Sequence, residues 1–114
     1  MKELTHFIGG KHVNGTSGRF GDIYNPSTGE VQAKVAFATR AEMRTAVETA
    51  LKVFPEWSAV NPQRRARVMF NFKGLVEKHM DELAHMLSSE HGKVLADSRG
   101  DVQRGIEVIE FACG

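Results

Sequence analysis

The sequence predicts an α+β fold, a β-hairpin and short strands followed by about four helices. Three observations predict it. Apolar residues alternate with period two from Val31 to Phe37 and recur at helical spacing from residue 39. Gly9-Gly10 separates two short β-like runs. Thr39 and Glu42 have the spacing of a helix capping box, where the change of period falls. The chain therefore reads as a β segment over 1–38 and a helical segment over 39–114.

Thr5 to Ile8 and Lys11 to Val13 form the first hairpin, because paired glycines supply the positive φ of a two-residue turn. Phe20 to Tyr24 is a short strand, and Asn25-Pro26-Ser27-Thr28-Gly29 is a turn. In the next strand Val31, Ala33, Val35 and Phe37 share one face, while Glu30, Gln32 and Lys34 share a solvated one.

The first helix follows the capping box, with Met43, Ala46, Val47, Ala50, Leu51 and Phe54 as its stripe and Pro55 as its expected end. Asn61-Pro62 starts the second, whose stripe is Met69, Phe72, Val76 and Met80. A short third helix runs from Asp81 to about His91, with Gly92 as its stop. The fourth begins near Val94 and contains Gly100 and Gly105, for which close packing of another segment is the expected reason.

That fourth helix has two apolar faces. At about 100° per residue, Val102, Ile106, Ile109 and Cys113 cluster on one side, and Val108 and Phe111 on the other beside Arg104. A helix apolar on two sides is sandwiched between layers. The expectation is that the chain is an internal piece of a larger protein.

Composition narrows the classes. Hydrophobic content of 41% and charged content of 25% are those of a globular chain. A net charge of +1 argues against strong attraction to nucleic acid or an anionic membrane. One cysteine forms no internal disulfide and fits a reducing cytoplasm. His79, His85 and His91 are spaced by six, which on a helix points successive rings apart, so no metal site is expected.

Little chemistry is placed by spacing. Cys113 lies on the inner stripe with no base beside it and reads as a small core residue. The N-terminal glycines fit no phosphate-loop pattern. Arg64, Arg65 and Arg67 read as a solvated helix face, and Trp57 as a plug at a helix junction. Arg104 is the exception, because a guanidinium beside Val108 and Phe111 needs an anion. An internal carboxylate, Asp97 or Asp101, and a ligand carboxylate held bidentately both satisfy that need.

The order of these signals resembles the N-terminal segment of the aldehyde dehydrogenase superfamily. Phe7-Ile8-Gly9-Gly10, Asn25-Pro26-Ser27-Thr28-Gly29-Glu30, the Ala46–Trp57 pattern, Asp81-Glu82-Leu83-Ala84 and Glu90-x-Gly92-Lys93 occur in the family's order. Arg64 to Phe72 and Gly100 to Ala112 resemble its methylmalonate-semialdehyde dehydrogenase branch. Asp101, where the wider family usually has Glu, and Val94, where Pro is common, depart from the broad pattern only.

The resemblance implies a part of the larger α/β aldehyde dehydrogenase fold, and an NAD-dependent, CoA-acylating oxidation. In it a cysteine thiolate attacks the aldehyde, hydride passes to NAD, coenzyme A takes the acyl group and the carboxylate leaves as carbon dioxide. Propionyl-CoA or acetyl-CoA results. Arg104 is implied to clamp the substrate carboxylate. No catalytic, cofactor-binding or metal-binding residue is expected in this chain, since the family nucleophile lies far downstream and Cys113 does not match it. The expected partners are the rest of the dehydrogenase chain and further copies of it, with no nucleic acid or membrane, and the chain alone is expected to be inactive. Two alternatives stay open: a free-standing helical interaction module, and a small nucleic-acid binder acting through Arg64 to Arg67.

Overall fold

The computed structural model describes residues 1–114. It contains β1 (Lys2–Leu4), β2 (His6–Ile8), β3 (Lys11–Val13), β4 (Phe20–Tyr24), β5 (Val31–Ala36), α1 (Arg40–Ala59), α2 (Pro62–Lys78), α3 (Met80–His91) and α4 (Leu95–Ala112). The α+β order matches the expected one. The chain divides into two compact units, Met1–Ala59 and Val60–Gly114, so α1 groups with the strands although the change to helix comes at residue 39.

In the first unit β2 and β3 pair antiparallel across Gly9 and Gly10, whose φ values of 63° and 78° make the primed turn that matches strand twist. A second sheet has the order β1-β5-β4. The β4–β5 pair is antiparallel, with Asp22 opposite Lys34 and an irregularity at Ile23/Tyr24. The strand β1 was not expected. Three residues with two charges carry no alternation signal, and Lys2–Leu4 becomes a strand by adding parallel to the β5 edge.

The capping box at α1 is reciprocal. The Glu42 carboxylate accepts from the Thr39 N–H at 2.7 Å, and the Thr39 hydroxyl accepts from the Glu42 N–H at 3.0 Å. Pro55 does not end α1, which continues to Ala59. Proline removes one helical hydrogen bond without forbidding the helix, and Leu51, whose carbonyl is freed, is exposed. The predicted stripe of α1 is largely open, with Met43, Val47, Leu51 and Phe54 exposed. Trp57 is also exposed, so it plugs no junction.

In the second unit Asn61 caps α2, its side chain accepting from the Gln63 N–H at 2.8 Å, with Pro62 opening the helix. Met80 begins α3 rather than closing α2. Gly92 ends α3 in the left-handed region at φ 87°. Ile106 and Ala84 form the closely packed apolar centre. Ser98, wholly buried, meets the Ser88 hydroxyl at 2.7 Å and ties α4 to α3. Lys73 of α2 reaches Glu110 of α4 at 3.5 Å. The expected close packing at Gly100 and Gly105 is absent, since a Cβ at either would meet nothing within 4 Å. No helix is long and apolar enough to cross a membrane.

Candidate functional site

The setting of α4 decides what Arg104 can do. Ser98 and Ile106 point inward and fix the rotation of the helix. Val102, Ile109 and Cys113 lie on the same side, half-buried. About 180° away, Phe111 is 88% exposed and Val108 is 68% exposed. Both stripes read from the sequence are therefore real, and one is uncovered. Arg104 stands on the uncovered one, with its side chain 74% exposed.

An internal carboxylate does meet Arg104. Asp101, one turn earlier, takes the guanidinium Nη1 on its Oδ1. The other oxygen, Oδ2, is held by the Lys93 ammonium. Lys93 sits in the short link between α3 and α4, delivered there by the left-handed Gly92. The Lys93 hydrogen bond is the leading reason that the Asp101 carboxyl lies below its ordinary value, ahead of the charge of Arg104. Asp97 takes no part in this network. The Arg104–Asp101 pair follows the helical i,i+3 rule and is legible in sequence. The Lys93–Asp101 pair joins a link residue to a helix and has no such spacing rule, so sequence reasoning missed it.

The first unit holds a second polar centre. Glu42 accepts from the Thr16 N–H at 2.7 Å and the Thr16 hydroxyl at 3.0 Å, besides its cap on Thr39. These donors, with the Thr39 backbone bond foremost, hold its carboxyl at about 2. His6 Nε2 lies 3.8 Å from Glu42 with no hydrogen-bond partner. A cleft of about 530 Å³ opens beside Glu42 and Thr16, walled by Ile8, Val13 and Thr49. A carboxylate that already accepts three hydrogen bonds and whose proton is lost so readily is a structural cap and a poor general base. Neither a catalytic nucleophile nor a metal centre emerges. Cys113 is free and half-buried at the end of α4, and no group of three ligand side chains stands together. Arg64 and Arg67 are exposed, as a solvated face requires, while Arg65 is half-buried.

Comparison with known proteins places this segment. The profile of the aldehyde dehydrogenase family matches residues 12–114. Malonate-semialdehyde dehydrogenase 3 of Geobacillus kaustophilus is 49% identical over 99% of this chain, which spans 23% of that protein. A Sinorhizobium meliloti 1021 protein assigned as a methylmalonate-semialdehyde dehydrogenase, solved with NAD, is 56% identical with a TM-score of 0.97. The methylmalonate-semialdehyde dehydrogenase of Oceanimonas doudoroffii is 40% identical with a TM-score of 0.96. Both structures match the whole chain, which covers 23% of each. Relatives of this kind share one backbone across 114 residues, and the chain belongs to the aldehyde dehydrogenase family.

Proposed function

We propose that this chain is a segment of an NAD-dependent, CoA-acylating dehydrogenase acting on malonate or methylmalonate semialdehyde. The observation that carries the reading is the 56% identity over the entire segment, at a TM-score of 0.97, to the Sinorhizobium meliloti protein. NAD is the hydride acceptor in this reading, and coenzyme A takes the acyl group. The nucleophilic cysteine and general base belong to the remainder of the enzyme, so the 114-residue chain alone is inactive. The full-length enzyme is a cytoplasmic homo-oligomer in this reading.

Arg104 is the residue of this segment proposed to meet substrate. An arginine beside Val108 and Phe111 on an uncovered face has the chemistry to hold a carboxylate once that face is covered and water is excluded. Arg104→Ala in the full-length enzyme should lower kcat/KM for malonate semialdehyde about a hundredfold and leave propanal oxidation nearly unchanged. Equal losses on both aldehydes would overturn the clamp. The reaction itself is checked by supplying malonate semialdehyde and NAD with and without coenzyme A. Acetyl-CoA and NADH are expected in equal amounts, and NADH release at full rate without coenzyme A would overturn the acylating assignment.

A further inference from the structure

We infer that Asp101 and Lys93 are the positioning residues of Arg104, holding its guanidinium by one nitrogen and keeping the cluster net positive toward an incoming carboxylate. The inference rests on the reading of Arg104 as a carboxylate clamp.

Geometry carries it first. Exposure rises outward along the array, from Lys93 at 22% through Asp101 at 36% to Arg104 at 74%. Asp101 is anchored on its inner side and presents its other oxygen to Arg104. An unanchored arginine on an open helix face samples many rotamers, and fixing it beforehand removes an ordering cost from binding. Only Nη1 is engaged, so the Nε–Nη2 edge keeps the fork that a carboxylate takes bidentately.

Charge carries it second. An aspartate bound to an arginine alone makes a neutral pair, which has little long-range attraction for an anion. Lys93 changes that, because two cations and one anion leave net positive charge at the site. The lysine thus allows Arg104 to be held by a carboxylate without being cancelled by it.

The two roles predict effects of opposite sign at Asp101. Asp101→Asn adds net positive charge, which by attraction alone strengthens binding of an anionic substrate. Loss of positioning weakens it. The readout is the ratio of kcat/KM for malonate semialdehyde to that for propanal in the full-length enzyme, which general structural damage leaves unchanged. Asp101→Asn should lower this ratio about tenfold, and Asp101→Glu should retain most of it. Lys93→Met should lower it by a similar factor, with a weaker response to ionic strength. It is the second variant should Asp101→Asn fold poorly, since the Lys93 side chain lies outside both helices. A ratio unchanged or raised in Asp101→Asn or Lys93→Met, with Arg104→Ala lowering it, overturns the positioning role alone. A ratio unmoved by Arg104→Ala overturns the clamp itself.

Discussion

Truncating Ile106 should damage this chain far more than truncating the larger Phe111 on the same helix. Ile106 is 2% exposed and is the largest fully buried side chain, whereas Phe111 is 88% exposed. Ile106→Ala removes one methylene and two methyls from the interior. At about 0.8 kcal/mol per group, plus a cavity term, the loss is roughly 3–4 kcal/mol. Few other side chains close the gap, because only Ala33, Ala36 and Ala84 join Ile106 as buried apolar residues. Phe111→Ala removes more carbon but little buried surface, so it should change stability by less than about 0.5 kcal/mol. Urea unfolding of the 114-residue chain, followed by helical circular dichroism, is the assay. With a slope of about 1–1.5 kcal/mol per molar, Ile106→Ala should lower the midpoint by roughly 2–4 M or abolish the folded baseline. Equal shifts for the two variants would show that Phe111 is covered within this chain, and the uncovered-face argument would fail. In the full-length enzyme the same Phe111→Ala change should become costly, because the proposed remainder of the chain buries that face.

Acid should test the Glu42 centre. Its carboxyl is lowered from 4.5 to about 2, so its contribution is present above 4.5 and is lost as pH falls from there toward 2. Glu42→Gln should flatten the pH dependence of the urea midpoint in that window, and an unchanged slope would assign the dependence elsewhere. Two glycines should answer alanine with opposite signs in thermal unfolding of the chain. Gly105→Ala should stabilise α4 by about 0.5–1 kcal/mol, since a Cβ there meets open space. Gly92→Ala should destabilise by about 1 kcal/mol, since φ is 87° at the end of α3. A destabilised Gly105→Ala chain would mean that another segment packs on α4 where none is seen.

What the sequence disclosed was local. The paired glycines, the Asn61 cap, the Thr39/Glu42 box and the Gly92 stop each act within a few residues, and each lies where its spacing puts it. What stayed hidden depends on partners distant in the chain. Lys2–Leu4 is a strand only because β5 offers it an edge. Glu42 was legible as a cap for Thr39, but not as the acceptor for Thr16, which stands 26 residues away. Pro55 misled because proline forbids one hydrogen bond rather than a whole helix, and α1 runs through it to Ala59. Periodicity also reports which residues share a face, but never whether anything covers it. The stripe of α1 reads like that of a core helix, yet Met43, Val47, Leu51 and Phe54 are exposed.

The same limit explains why Arg104 divided two readings in the sequence, of which the structure shows the internal one. A guanidinium on an apolar face needs an anion, and internal and external carboxylates were rival answers. Asp101 is the internal answer, and it leaves Arg104 on the open side of the helix with one edge of its fork unused. A pair that existed only for stability would gain little from such exposure, where an ion pair contributes about 0–1 kcal/mol. The pairing becomes worthwhile when the open face is covered, the dielectric falls and the orientation of the fork matters. In the proposed reading, the clamp therefore requires burial of the Val108/Phe111 face. An enzyme in which Phe111→Ala proved harmless to the full-length fold would leave Arg104 in water, where a single arginine discriminates poorly between carboxylated and plain aldehydes.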